Sequence, residues 1–156
     1  MKNYMAILFA LGFLFPAAAF ARIGETLAQC ETRYGKAYNT EGSMSAFRKG
    51  GLLIGVVFYQ GKADVVYYEK EERNIVNLAA EMSENEIETL LKANGGDKKW
   101  KKSAVISMDK HWQTEEGELF ANYTTIRSQL TVCTREYLER EFEKTKAKEK
   151  KQLEGF

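Results

Sequence analysis

The stretch Leu52 to Glu69 reads Leu-Leu-Ile-Gly-Val-Val-Phe-Tyr, then Gln60-Gly61, then Lys-Ala-Asp-Val-Val-Tyr-Tyr-Glu. Two β-branched and aromatic runs joined by a two-residue link predict an antiparallel hairpin, with Gly61 supplying the positive φ of a tight turn. Side chains alternate across a strand. That alternation places Phe58, Val65 and Tyr67 on one side and Tyr59 and Tyr68 on the other. A hairpin closed by so short a turn excludes a βαβ crossover at this point and directs the fold toward an antiparallel sheet.

Upstream, Gly50-Gly51 links the hairpin to a short strand over Ser45 to Lys49, and the polar stretch Lys36 to Ser45 reads as a loop. Ile23, Leu27, Cys30 and Tyr34 recur at helical spacing, so Gly24 to Tyr34 is a short helix with Gly35 at its end. Downstream, Ile75 to Met82 is ambiguous between a helical turn and a strand. Ser83 and Glu86 then form a capping box, with Met82 and Ile87 at the staple positions. Ile87, Leu90 and Leu91 make the apolar face of that helix, and Gly95-Gly96 stops it.

The second half repeats the order. Lys98 to Lys102 is a basic loop. Strands are expected at Ala104 to Met108, Trp112 to Thr114, Glu118 to Thr124 and Gln129 to Thr134. Leu130 and Val132 share one face of the last strand. Thr134 caps a final helix that has Leu138 and Phe142 as footing and is mostly Lys and Glu thereafter. The fold class is α+β: antiparallel meanders packed with short helices, in two tandem helix-plus-meander units, with a C-terminal helix. The matching helix ends Tyr34-Gly35 and Asn94-Gly95 point to internal duplication, although the halves share little else in sequence.

Length and composition bound the function. The chain has 156 residues, 44% hydrophobic and 29% charged, which fits one globular domain. Residues 1–21 read as a cleavable export signal: Lys2, an apolar run from Met5 to Phe15, Pro16, and small residues through Ala21. The domain proper is then 22–142, followed by a charged, partly exposed helical tail at 143–156. The expected location is exported, periplasmic or secreted, with no transmembrane span after cleavage. Lys2 is the signal's single charge, so 23 basic residues become 22 against 22 acidic ones. That balance gives no field to attract nucleic acid. With two Cys and one His, no metal site or cofactor is expected.

Cys30 and Cys133 are a candidate disulfide, since an even pair in an oxidising compartment suggests one. The alternative is two separately buried thiols. The candidate partner-binding residues are Lys98, Lys99, Trp100, Lys101 and Lys102, together with Tyr59 and Tyr68. Four lysines around an indole can hold an anionic group while the ring covers an apolar one, which suits an acidic protein patch or an anionic envelope component. The blander reading is that Trp100 anchors the loop into the core and the lysines are solvated. No catalytic residues are assigned, because the chain has no Gly-x-Ser-x-Gly elbow, phosphate loop or dinucleotide fingerprint.

Ile23-Gly24-Glu25-Thr26 opens a helix closing at Tyr34-Gly35-Lys36, and Val57-Phe58-Tyr59-Gln60-Gly61-Lys62-Ala63 follows. This pattern resembles the module of the β-lactamase-inhibitor-like fold, shared with small outer-membrane assembly lipoproteins. It is similar as well to small secreted bacterial proteins of unknown function. The match covers Ile23 to Tyr68, with a weaker echo over Ser83 to Thr134. Ala37 stands where those modules carry Pro, and no lipidation Cys follows the signal. The resemblance implies a module that binds protein partners and has no chemistry of its own. The functional expectation is therefore an exported, non-enzymatic binding or cell-envelope accessory module. The alternative is a small secreted hydrolase using His111 and nearby Glu115, Glu116 and Glu118.

Overall fold

The computed structural model describes residues 22–74, 77–104 and 107–154. The export signal read at 1–21 lies outside the described residues. Helix α1 (Leu27–Tyr34) leads into strands β1 (Asn39–Glu41), β2 (Met44–Lys49), β3 (Leu52–Tyr59) and β4 (Lys62–Lys70). Helix α2 (Glu84–Gly95) leads into β5 (Trp100–Lys102), β6 (Lys110–Thr114), β7 (Leu119–Thr124) and β8 (Gln129–Thr134), and α3 (Arg135–Leu153) follows. The strands form one antiparallel sheet in the order β1-β2-β3-β4-β8-β7-β6-β5. The last strands of the two halves pair at the centre, so the halves meet about an approximate two-fold axis between β4 and β8. This is the α+β architecture of meanders and helices expected from the sequence.

The correspondence between halves extends to the caps. Thr26 with Gln29 and Ser83 with Glu86 both form complete capping boxes, and Gly35 and Gly96 close the two helices. Neither helix is long enough to be stable alone, so packing must hold both. Both lie on one face of the sheet. Cys30, Tyr34, Ile87, Leu90 and Leu91 close over Phe47, Ile54, Val56, Val66, Tyr68, Leu130 and Val132 in a single core. Two hydrogen bonds lock that layer: the Asn94 side-chain amide donates to the Tyr68 hydroxyl at 3.0 Å, and the Met82 backbone amide donates to the Tyr123 hydroxyl at 3.0 Å.

The structure moves three expected elements. The stretch Lys36 to Ser45 contains β1, which pairs with β2 and is exposed throughout, so no alternation betrays it. In the second half the strand falls at Trp100–Lys102 rather than Ala104 to Met108. Ser103, Ala104, Ser107 and Met108 belong to no strand, and Val105 and Ile106 lie outside the described residues. Both misread strands are sheet edges, where one row of backbone groups faces solvent and lysine side chains are tolerated.

The third change is one of facing. Val57 pairs with Val65 but Phe58 pairs with Ala63, so Asp64 is an extra residue in β4. An unbroken register from the turn would group Phe58 with Val65 and Tyr67. The bulge reverses everything beyond it. Phe58 packs on the core side with Ala63 and Tyr68, whereas Tyr59 shares the other face with Val65 and Tyr67.

Gly95 shows how closely α2 is fitted. A Cβ there would stand 2.5 Å from the Trp100 indole nitrogen, and that indole N–H donates to the Leu91 carbonyl at 2.7 Å. Gly95→Ala should therefore displace the ring and cost about 1–3 kcal/mol by overpacking. Urea unfolding with Trp emission as the readout checks this; a loss under a few tenths of a kcal/mol would contradict the fit.

Candidate functional site

Helices α1 and α2 cover one face of the sheet. The opposite face carries Met44, Ala46 and Arg48 from β2, Leu53, Gly55, Val57 and Tyr59 from β3, and Val65, Tyr67 and Glu69 from β4. It continues with Gln129, Thr131 and Cys133 from β8, Phe120 and Asn122 from β7, and His111 and Gln113 from β6. Each of these is the alternate of a core residue, which is why one strand contributes to both layers.

Helix α3 crosses part of this face. Thr134 caps it, accepting from the Tyr137 amide at 3.0 Å. The bulged residue Asp64, buried at 7% exposure, accepts from the Thr134 hydroxyl and pairs with Arg140. The Arg140 guanidinium lies 3.8 Å from the centre of the Tyr59 ring. Tyr137 stands beside Tyr67, and burial, reinforced by that neighbouring hydroxyl, pushes the Tyr67 phenol up to about 12. From Phe142 to Glu154 every residue of the helix is exposed, so its first two turns dock and the remainder projects.

Hollows open on this face over β2, β3, β4 and the start of β8, and again over β6, β7 and β8. The first, about 470 Å³, is lined by Tyr38, Met44, Leu53, Gly55 and Tyr67, with Glu69, Arg127 and Gln129 along its polar edge. A Cβ on Gly55 would lie 2.8 Å from the Met44 methyl and 3.5 Å from the Tyr67 ring, so the glycine deepens the floor. The second, about 370 Å³, lies against Phe120, Asn122, Thr131 and Cys133, with His111 at one side and Tyr137 and Leu138 of α3 at the other.

The expected site residues do not gather. Trp100 is half-buried and hydrogen-bonded to α2, in the anchoring role that was the blander reading. Lys98 pairs with Glu118, Lys101 lies 3.5 Å from Glu115, and Lys102 sits 5.8 Å from the centre of the Trp112 ring. Alternation along β5 sends Lys101 and Lys102 to opposite faces, so the lysines form no single patch. Lys99 is exposed, and its carbonyl accepts from the Glu115 amide at 3.0 Å. Tyr59 is half-exposed under Arg140. Tyr68 is fully buried against Asn94 on the helix side and cannot meet a partner, which corrects its placement among the candidates.

The two candidate disulfide cysteines are not joined in the structure. Cys30 belongs to the core under α1, whereas Cys133 faces the other side of the sheet, and both are free thiols. The sheet itself stands between them. Burial pushes Cys30 up to about 11 and Cys133 to about 12, so neither is a thiolate at neutral pH. Iodoacetamide at pH 8 should add nothing to the folded protein and two groups after denaturation without reductant, as read by intact mass. Labelling that needs reductant would restore the disulfide.

His111 lies on the open face, and no carboxylate among the described residues hydrogen-bonds its ring. Among the same residues no three His, Cys, Asp or Glu side chains are placed to hold a metal ion, and no helix is long and apolar enough to cross a membrane. The residues that line the first hollow escaped the sequence reading. Leu53, Gly55 and Tyr67 carried an alternating signal, but Arg127 lies in a loop with no periodicity.

No protein-family model matches the chain, and no curated protein shows significant similarity to it. Among solved structures, the crystal structure of a cysteine-rich secretory protein from Staphylococcus aureus subsp. aureus Mu50 aligns at 14% identity with a TM-score of 0.42. The alignment covers 74% of this chain and 44% of that one, so this chain spans less than half the length of that neighbour.

Proposed function

We propose that the protein is an exported, non-enzymatic binding module of the cell envelope or secreted fraction, and that the sheet face opposite α1 and α2 contacts a protein partner. The observation that carries this reading is the first hollow. Its apolar walls, exposed Met44 and half-buried Leu53 and Tyr67, border an open concavity, while the equivalent side chains of the other face are sealed under helices. Apolar and aromatic side chains held in a concavity with a polar rim are the usual anchor of a protein interface. The resemblance of Ile23 to Tyr68 to modules that bind protein partners supports the same reading. The lysine segment supports it less, because three of its four lysines already face a carboxylate or an indole of the same chain.

A photo-crosslinking amino acid placed singly at Leu53, Gln129, Lys99 and Glu139 in the exporting cell tests this. Discrete adducts should form from the first two positions and not from the last two. Adducts from Lys99 alone would move the contact to the lysine edge and overturn the assignment of the open face.

A further inference from the structure

The two hollows differ in their borders and in the charge left at the rim. The second is walled on one side by α3 itself, through Tyr137 and Leu138, and Arg140 of the same helix reaches the buried carboxylate of Asp64 on β4. The first hollow has apolar walls of the same kind, and α3 reaches only its Tyr67 edge, through Tyr137. Its charges are settled with one exception. Glu69 accepts from the Gln129 amide at 2.7 Å and lies 3.5 Å from Arg73, and Arg48 pairs with Glu71 at 3.2 Å. Arg127 has no ion pair among the described residues, so the groove carries one unmatched positive charge. A guanidinium beside an apolar wall suits a carboxylate, which it can bind through two parallel N–H donors.

We infer that this groove takes a short peptide segment of a partner protein in which a large apolar side chain stands close to a carboxylate. The inference rests on the open-face reading and deepens it. The apolar side chain enters over Gly55 between Met44 and Tyr67, and the carboxylate meets Arg127.

The probe is a random dodecapeptide display library panned on the purified protein, followed by synthesis of the enriched peptides. Enriched sequences should share a Leu, Ile, Met or aromatic residue within a few positions of Asp or Glu. Their affinity should fall about tenfold or more with Arg127→Glu, as expected for a lost charged hydrogen bond. It should fall similarly with Gly55→Leu and stay unchanged with Lys99→Glu. Arg127 is an exposed loop residue, so that variant keeps the test valid should Gly55→Leu disturb the sheet. Peptides indifferent to both groove variants, or no enrichment over the Gly55→Leu protein, would overturn the inference. Peptides lost instead with Phe120→Asp would overturn it while leaving the open-face reading intact. A doubled mass in light scattering, abolished by Gly55→Leu, would assign the groove to a second copy of the chain and overturn it too.

Discussion

Phe47→Ala should lower the free energy of unfolding by about 3–5 kcal/mol, the range found when a fully buried aromatic side chain is truncated. Phe47 has no exposure, its ring centroid lies 5.4 Å from that of Tyr34, and it pairs across β2 and β3 with Ile54. The cavity would open directly beneath α1. That helix has 8 residues and two buried side chains, Cys30 and Tyr34, so it has little else to hold it. Its amides should lose exchange protection before the rest of the sheet does. The apparent melting temperature should drop by about 10 °C. Met44→Ala, on the open face of the same strand, should cost well under half as much. Denaturant titration of both variants decides the matter. Equal losses would mean that the two faces of β2 have been assigned wrongly.

Arg140→Ala should cost about 1–3 kcal/mol, less than a fully buried pair because the Arg140 side chain keeps 27% exposure. Its effect should be local. Asp64 is retained at the bulge with only the Thr134 hydroxyl to accept from, and a buried carboxylate that loses its cation is destabilising even where the pair itself contributed little. Tyr59 loses the guanidinium stacked on it as well. The first turns of α3 should then lift from the sheet, and hydrogen exchange from Tyr137 to Glu141 should rise while the core amides of β4 and β8 stay protected. A double-mutant cycle with Asp64→Asn isolates the pair. A coupling energy near zero would show that α3 is held by Tyr137 and Leu138 alone.

These two residues illustrate different degrees of legibility. Phe47 lies in a short, largely polar strand beside a Gly-Gly turn, and its burial follows from alternation once the helix side is known. The Asp64–Arg140 pair was invisible. Its members are 76 residues apart, and Asp64 occupies a strand position where an acidic residue has no local reason to be buried. The Ser83–Glu86 cap was the most legible feature, because its bonds close within one turn; the equivalent Thr26–Gln29 cap was missed, and the first helix, expected from Gly24, begins at Leu27. The candidate lysine patch failed for a reason local sequence does not contain. Adjacent lysines on a strand point to opposite faces, and the glutamates that receive Lys98 and Lys101 arrive from the turn between β6 and β7.

By itself, then, the sequence determined what short-range physics decides. That comprises the hairpin at Gln60-Gly61, the capped helix α2, the existence and glycine stop of α1, the antiparallel class, the repeated order of the halves and the helical reading of the tail. Tertiary structure alone decided which faces those elements present. The pairing of β4 with β8 joins segments more than sixty residues apart, and only that closure sets Cys30 and Cys133 on opposite sides of one sheet. The single extra residue at Asp64 moves Tyr59 and Tyr67 to the same face and sends Phe58 to the core. A side-chain period of two makes every such assignment turn on one residue of register, and register is settled by the partner strand rather than by the strand's own sequence.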